Sequence, residues 1–177
     1  PGNTVSNLSS SRALKDVTEA YGQQYHAAAV GEVNVVAEMK RTHSVIGGEG
    51  NGGVIYPESH YGRDALVGVG LFLSHYVAQS KKMTELKSTY PPYFISKNKM
   101  TLSPDMDVDK ILEGLKERYA TEKVTDIDGV KIDFAQGWVH LRKSNTEPII
   151  RIYSEAKDEA AANQLAEEVI AAAKSTL

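Results

Sequence analysis

The chain has 177 residues, of which 41% are hydrophobic and 24% are charged, and its formal net charge is −3. This length allows one large domain or two small ones, and the slightly acidic balance argues against a general nucleic-acid binder. The absence of cysteine excludes disulfides and thiolate metal sites and favours a reducing compartment, the cytoplasm. The longest apolar stretch, 65–73, is too short to span a bilayer, so we expect no membrane partner.

The first half of the chain alternates strand and helix patterns. The predicted elements are strands at 3–10, 26–30 and 43–48 and helices at 12–21 and 32–41. After an irregular stretch, Asp64 is placed to cap a further helix that runs to about Ser80. That helix is apolar nearly all round, so we expect it to be deeply packed. The alternation predicts an α/β domain. Because the chain enters a strand almost at once and lacks a starting Met, we expect a fragment of a longer protein.

The composition changes at KSTYPPYFISKNK (87–99), which has two prolines and no periodicity and is the best candidate for a linker. Beyond it, Asp107 is placed to cap a helix, and Asp128-Gly129 is a strong signal for a tight turn between strands. The remaining predicted elements are strands at 99–103, 138–142 and 148–156 and a final helix at 158–174. This half is predicted to be α+β, an antiparallel sheet with two helices on one face.

The segment IGGEGNGGVI (46–55) formally matches the dinucleotide-binding pattern G-x-G-x-x-G through Gly48, Gly50 and Gly53. A nucleotide loop must lead directly into a helix, and Pro57 argues against a helix there. Glu49 would also repel a phosphate from the middle of the loop. A nucleotide-binding domain therefore remains a weaker interpretation, and it requires that the chain be helical from Val54 onward.

Glu49 and Asn51 suit sugar hydroxyl groups better than a phosphate. A carboxylate accepts two hydrogen bonds from neighbouring hydroxyls, and an amide both donates and accepts. The alternative is a tight glycine turn with a solvated glutamate. The loop chemistry alone leaves the two interpretations about equal.

The segment RKSNTEPIIR (142–151) has the opposite character. Arg142 closes one predicted strand and Arg151 lies in the next, so a turn between antiparallel strands can bring them together. Between them the turn offers hydroxyl, amide and backbone N–H donors, which together can bind an anion. The alternative is a solvated hairpin in which both arginines pair with carboxylates such as Glu147 and Glu155. Taken together, one loop for hydroxyls and one for phosphate fit the two ends of a sugar phosphate.

Three segments carry a resemblance to a known family. GGEGNGGVI, HYGRDA and RKSNTEPIIRIYSEA, in this order and spacing, resemble the α-D-phosphohexomutases, which include phosphoglucomutase/phosphomannomutase and phosphoglucosamine mutase. The resemblance covers essentially the whole chain. It implies that residues 1–88 are the sugar-recognition α/β domain, the family's third, with a mixed sheet and an incomplete start. It implies that residues 91–177 are the phosphate-binding fourth domain.

Enzymes of this family convert a sugar 1-phosphate to a 6-phosphate through a bisphosphorylated intermediate, using a phosphoserine and a Mg²⁺ ion. This chain has neither the serine loop T-x-S-H-N-P nor the metal loop D-G-D-x-D-R. The resemblance therefore implies an inactive C-terminal fragment without catalytic residues or metal site of its own. Its partners would be a hexose phosphate and the missing N-terminal domains, which would bind the Mg²⁺.

The resemblance also assigns binding residues. Glu49 and Asn51 fall on the family's sugar-binding loop, and Gly31 and Glu32 fall on a second loop near the substrate. The phosphate-binding loop corresponds to Arg142, Ser144, Asn145, Thr146 and Arg151. Two alternatives stay open, a phosphoglucosamine mutase and a non-catalytic module that binds sugar phosphates. The preferred sugar is not determined by these motifs.

Overall fold

A computed structural model describes residues 1–103, 106–144 and 146–176 of the chain. The chain divides into two compact units, Pro1–Pro92 and Tyr93–Leu177, and each contains its own five-stranded sheet. Asn145, one of the predicted phosphate-binding residues, lies outside the described residues. Within them, no helix has the length and apolar character needed to cross a membrane.

Unit 1 has a mixed sheet with the strand order β2-β1-β3-β4-β5. Strand β1 runs parallel to β2 and β3, and β3, β4 and β5 then form an antiparallel meander. This confirms the predicted α/β class. The elements are β1 (Thr4–Asn7), α1 (Ala13–Ala20), β2 (Tyr25–Ala28), α2 (Glu32–Thr42), β3 (Ile46–Glu49), β4 (Gly53–Tyr56), β5 (His60–Arg63), α3 (Ala65–Gln79) and α4 (Met83–Lys87).

Helix α2 covers one face of this sheet. Its buried Val35 and Met39 pack with Val5 of β1 and Ile55 of β4. Gly47 of β3 makes this close packing possible, because a Cβ at that position would collide with the Met39 sulfur. The helix therefore begins at the edge of the sheet where β3 ends, and this position brings its first residue close to the glycine-rich loop.

The stretch expected to be irregular after the glycine cluster contains the strands β4 and β5, so that prediction was wrong. Helix α3 begins as predicted, with the Asp64 side chain accepting a hydrogen bond from the Val67 N–H at 3.0 Å. The prediction that this helix is deeply packed was also wrong, since none of its residues is buried. Leu66 and Val77 are 84% and 74% exposed. The helix meets β4 through a narrow glycine contact at Gly68, and one contact of this kind covers only one side of a helix.

Unit 2 has a fully antiparallel sheet with the order β6-β10-β9-β8-β7. Its helices α5 and α6 pack on one apolar face, with Ile111 and Val169 meeting Leu141, Ile150 and Ile152 of the central strands. This confirms the predicted α+β class. The elements are β6 (Phe94–Thr101), α5 (Val108–Arg118), β7 (Lys123–Thr125), β8 (Val130–Asp133), β9 (Gly137–Lys143), β10 (Ile149–Ala156) and α6 (Glu159–Lys174).

The segment 87–99 is not a continuous linker, because β6 already begins at Phe94. The strand predicted at 99–103 is therefore only the end of a longer one. Ser96 and Met100 of β6 are buried against the helices, whereas Lys97 and Lys99 are exposed on the other face. Polar residues on both faces of this strand hide the alternation that identifies strands in a sequence.

Candidate functional site

The glycine cluster forms the hairpin between β3 and β4. Gly48 lies opposite Val54, and Glu49 lies opposite Gly53. A Cβ at Gly48 would lie 2.5 Å from the Gly53 carbonyl oxygen, and Gly52 has a φ of +94°, so the glycines allow a tight turn. Because Val54 lies in strand β4 and not in a helix, the interpretation as a nucleotide-binding loop is excluded.

Glu49 lies at the end of β3, and its side chain is only 5% exposed. Its Oε1 accepts hydrogen bonds from the Asn7 side-chain amide at 3.0 Å and from the Gly31 N–H at 3.2 Å. Its Oε2 lies 3.6 Å from the guanidinium of Arg63. A solvated glutamate, the alternative left open by the sequence, is therefore not what the structure contains. The carboxylate is held in place and keeps lone pairs available for further donors.

Gly31 and Glu32 form the start of α2, where Gly31 takes a φ of +120° that other residues rarely adopt. Glu32 Oε2 accepts a hydrogen bond from Arg63 Nε at 2.7 Å, and Oε1 accepts one from the Arg63 backbone N–H at 3.1 Å. The backbone hydrogen bond, followed by that of the side chain, lowers the pKa of Glu32. The two predicted sugar loops are thus brought together around Glu49.

Arg63 joins these two loops, and the sequence reasoning did not assign it to the site. The motif HYGRDA contains it, but only the three-dimensional arrangement places β5 beside β4 and the start of α2. The next residue, Asp64, accepts a hydrogen bond from Val67 N–H and lies 3.1 Å from His60 Nε2. The hydrogen bond from Val67, and to a smaller extent the contact with His60, lowers the pKa of Asp64. Both contacts stabilise the start of α3.

Asn51 lies at the tip of the hairpin, where its Oδ1 accepts a hydrogen bond from the Gly53 N–H at 3.1 Å. Among the described residues, the structure records no hydrogen bond from the Asn51 side-chain nitrogen. A cavity of about 550 Å³ opens beside it and is lined by Glu32, Asn51, Gly52, Gly53, Arg63 and Ala65. Carboxylate, amide and guanidinium groups on a glycine-rich wall are suited to binding hydroxyl groups.

The second predicted loop lies in unit 2. Arg142 of β9 and Arg151 of β10 are direct partners in the antiparallel register, so their side chains leave the same face of the sheet. Arg151 donates a hydrogen bond to Glu147 Oε2 at 2.8 Å. The Nε of Arg142 is buried and has no hydrogen-bond partner among the described residues. The alternative, in which both arginines pair with carboxylates, is therefore correct for Arg151 but not for Arg142 within the described residues.

The turn between these strands gathers small hydroxyl groups. Ser144 is 6% exposed, and its N–H donates to the Ile149 carbonyl oxygen at 3.0 Å. The Thr146 N–H donates to Ser144 Oγ at 3.4 Å, and the two hydroxyl oxygens are 3.5 Å apart. Their hydroxyl protons can rotate toward an anion that lies beside Arg142.

Lys99 belongs to the same row of side chains, and the sequence reasoning missed it. It is the register partner of Arg151 on the other neighbouring strand, β6. Lys99, Arg151 and Arg142 therefore lie side by side on the face opposite the helices. The sequence did not indicate this neighbourhood, because the first residues of β6 were predicted to be part of a linker.

Residues 1–103, 106–144 and 146–176 contain no group of three or more His, Cys, Asp or Glu side chains that could hold a metal ion. Mg²⁺ prefers several oxygen ligands arranged around the ion. The side chains of this part of the chain therefore do not fit a Mg²⁺ ion.

Comparison with known proteins identifies both units. The family model described as "Phosphoglucomutase/phosphomannomutase, alpha/beta/alpha domain III" matches residues 1–93. The model described as "Phosphoglucomutase/phosphomannomutase, C-terminal domain" matches residues 97–172. These matches confirm the resemblance seen in the three sequence motifs.

Curated relatives and a solved structure agree with the family models. The chain is 36% identical over 167 residues to the phosphoglucosamine/phosphogalactosamine mutase of Sulfurisphaera tokodaii, covering 93% of this chain and 37% of that protein. It is 36% identical over 168 residues to the phosphoglucomutase/phosphomannomutase of Thermococcus kodakarensis, covering 94% of this chain and 36% of that protein. A phosphoglucomutase/phosphomannomutase family protein from Burkholderia thailandensis shares the fold, with a TM-score of 0.79 at 22% identity over 99% of this chain and 38% of that one.

The chain thus spans little more than a third of the length of these relatives. Its match to the two family models covers almost all of its own residues. The chain belongs to the phosphoglucomutase/phosphomannomutase family of phosphohexomutases and carries the third and the C-terminal domain of that family.

Proposed function

We propose that this chain is the substrate-recognition part of a cytoplasmic phosphohexomutase, an isomerase that interconverts a hexose 1-phosphate and a hexose 6-phosphate through a bisphosphorylated intermediate. Unit 1 binds sugar hydroxyls, and unit 2 binds a phosphate group. The observation that carries the proposal is the buried Arg142 Nε, which has no hydrogen-bond partner in the described part of the chain. A buried guanidinium N–H without a partner is costly unless a ligand supplies an acceptor.

At the sugar end, Glu49 and Asn51 bind hydroxyl groups. Glu49 is oriented by Asn7 and Gly31, and an oriented carboxylate accepts hydrogen bonds without losing further side-chain freedom. Gly31 and Glu32 line the start of α2 beside it. Their contribution is recognition and orientation of the substrate, since none of these side chains transfers a phosphoryl group.

At the phosphate end, Arg142 and Arg151 supply the positive charge. Ser144, Asn145 and Thr146 supply hydrogen-bond donors from the turn. Arginine forks match phosphate oxygens in pairs, and such charge-assisted hydrogen bonds are about twice as strong as neutral ones. Held in this way, the phosphate is fixed while the other end of the sugar reacts.

The phosphoryl carrier and the Mg²⁺ site are assigned to the sequence that the relatives have beyond this chain. When bound there, Mg²⁺ supplies a positive charge that stabilises the phosphoryl group during transfer. The isolated chain is therefore inactive. Incubating it with glucose 1-phosphate or mannose 1-phosphate and measuring the 6-phosphate product tests this, and turnover above background by a clean preparation would overturn it.

Binding tests the proposal directly. NMR titration of the isolated chain with mannose 1-phosphate should shift amide signals of the β3–β4 hairpin and of the turn after β9. Shifts confined to the turn would support a phosphate-binding module without sugar recognition. No shifts at millimolar ligand would contradict the proposal as a whole.

The relative from Sulfurisphaera tokodaii favours a second candidate, a mutase that acts on amino-sugar phosphates. The same loops accept this role, because an ammonium group also binds to carboxylates. Titration with glucose 1-phosphate, mannose 1-phosphate and glucosamine 1-phosphate separates the candidates by their relative affinities.

A further inference from the structure

We propose that Arg63 is a positioning and specificity-determining residue of the sugar site. It fixes Glu32 and Glu49 in place and offsets part of their charge, so that the site attracts the ammonium group of an amino sugar less strongly than the two carboxylates alone would. The inference rests on the proposed function of Glu49 as a sugar ligand and goes beyond it, because it assigns a role and a substrate preference to a residue outside both predicted loops.

Arg63 connects the two loops through three contacts. Its Nε donates to Glu32 Oε2 at 2.7 Å, and its backbone N–H donates to Glu32 Oε1 at 3.1 Å. Its Nη1 lies 3.6 Å from Glu49 Oε2. One residue of β5 thus ties the start of α2 to the end of β3. Since the other carboxylate oxygen of Glu49 is held by Asn7 and Gly31, Arg63 completes the orientation of that carboxylate.

The path of the Arg63 side chain is itself fixed by the hairpin. A Cβ at Gly53 would lie 2.6 Å from Arg63 Cδ, so the arginine stem crosses β4 directly above a glycine. The side chain is 50% exposed, and Arg63 lines the cavity together with Asn51. Arg63 is therefore neither a solvated surface arginine nor a buried structural one, because it presents charge to the space where a ligand would bind.

The charges of this cluster have a direct consequence for selectivity. Glu32 and Glu49 carry two negative charges, and Arg63 offsets one of them. An ammonium group in the cavity is attracted by the carboxylates and repelled by the guanidinium, whereas a hydroxyl group responds little to either. Removing the guanidinium should therefore favour an amino sugar over a neutral sugar by about fivefold, the size expected for unit charges roughly 6 Å apart in a half-exposed site.

The first experiment measures a ratio of affinities. Glucose 1-phosphate and glucosamine 1-phosphate carry the same phosphate, so the ratio of their dissociation constants reports the sugar end alone. In Arg63→Met this ratio should shift toward glucosamine 1-phosphate by about fivefold. Arg41→Met is the matched control, because Arg41 also pairs with a glutamate, Glu38, but is 67% exposed on α2 and lines neither loop. A ratio equal to that of the unchanged chain would overturn the assigned specificity. A shifted ratio cannot come from a general loss of structure, because that would weaken the binding of both ligands alike.

The second experiment needs no ligand. Arg63→Met should raise the pKa of Glu32, because the side-chain hydrogen bond is lost while the backbone one remains. It should also shift the amide signal of Gly31, whose hydrogen bond reports the position of Glu49. Arg63→Lys keeps the positive charge but loses the planar guanidinium with its several N–H donors. It should therefore keep the affinity ratio and still shift the amide signal of Gly31.

These readouts separate the two proposals. If the unchanged chain binds neither sugar phosphate, the proposed function fails, and the Gly31 amide and the Glu32 pKa still decide whether Arg63 positions the carboxylates. If both of these remain unchanged in Arg63→Met, Arg63 does not position them, whatever the ligand affinities are.

Discussion

Arg142 and Arg151 face each other directly across the antiparallel strands β9 and β10. Like charges in this position destabilise a sheet. Only Arg151 is offset by a recorded carboxylate contact, with Glu147 at 2.8 Å, among the described residues. An anion bound between the two guanidinium groups would replace repulsion by attraction. Under the proposed function, the form of unit 2 without bound phosphate therefore carries an energetic penalty that the phosphate relieves.

Replacing Arg142 by Ala should weaken the binding of inorganic phosphate by about 10- to 100-fold, the equivalent of about 1.5–3 kcal/mol for hydrogen bonds to a charged group. Isothermal titration or NMR titration measures the change. Arg118→Ala is the control, because Arg118 is exposed on α5, which covers the other face of the sheet. Equal affinities of the two variants would show that the turn after β9 is not the phosphate site.

Lys99 should contribute less than Arg142. It completes the row of cations next to Arg151, but it is exposed, and water and salt weaken such interactions to about 0.2–1 kcal/mol. Lys99→Ala should therefore weaken phosphate binding by about two- to fivefold at low salt and by less at high salt. Lys110→Ala on α5 serves as the control. If the phosphate affinity of this variant depends on salt as that of the unchanged chain does, Lys99 is not part of the site.

Gly48→Ala should destabilise the β3–β4 hairpin by about 1–3 kcal/mol, because the added methyl group meets the Gly53 carbonyl oxygen. Amide hydrogen exchange of the hairpin measures the effect. Gly70→Ala makes the same chemical change in α3, where a Cβ meets nothing within 4 Å, and should stabilise that helix by about 0.5–1 kcal/mol. Similar effects of both changes would contradict the close approach of the two strands.

His140 should make unit 2 sensitive to acid. Burial, the main cause, lowers the pKa of this histidine to about 4, and its ring N–H donates to the Asp128 carbonyl oxygen at 2.7 Å. In the unfolded chain the imidazole has a pKa near 6.5. Between these values the unfolded state binds more protons than the folded state, so stability falls as the pH drops from about 6.5 to about 4.

The loss attributable to His140 should reach about 3 kcal/mol at the acid end of this range. Urea unfolding followed by the fluorescence of Trp138 reports on unit 2, since this is the only tryptophan and it is fully buried there. His140→Gln keeps an N–H donor but cannot titrate, so its unfolding free energy should depend less on pH. The same pH dependence in both proteins would assign the acid sensitivity to other groups.

Features that depend on neighbouring residues could be predicted from the sequence. Asp64 and Asp107 cap the helices that were expected to follow them, because an N-cap needs only a short side chain and the next turn of backbone. The last helix was predicted to begin at Asp158, which is its N-cap. The Asp128-Gly129 turn is equally local, and Gly129 takes the expected positive φ of 68°. The fold class of each half and the starts of the predicted helices were therefore correct.

Features that depend on residues distant in the chain could not be predicted from the sequence. The position of Arg63 beside Glu49 depends on the order of strands in the sheet, and that of Lys99 beside Arg151 depends on the register of β6. The glycine pattern was ambiguous because a tight hairpin and a nucleotide loop both require residues without a Cβ. Only the strand at Val54 separates the two.

The burial of α3 was the clearest error, and it shows what apolar composition can and cannot indicate. A helix with apolar residues on every side favours contact with other apolar surface, but composition does not state which surface is present. In the structure Leu66, Leu73 and Val77 are exposed. The prediction described the preference of the helix correctly and its surroundings wrongly.

The exposed side of α3 also limits how this chain can be handled in solution. Contiguous apolar surface promotes reversible clustering of molecules, and the net charge of −3 provides only weak repulsion against it. Added salt would screen that repulsion while leaving the attraction intact. The millimolar titrations that the sugar and phosphate sites require therefore call for low ionic strength and a concentration series, so that ligand-induced shifts are not confused with self-association.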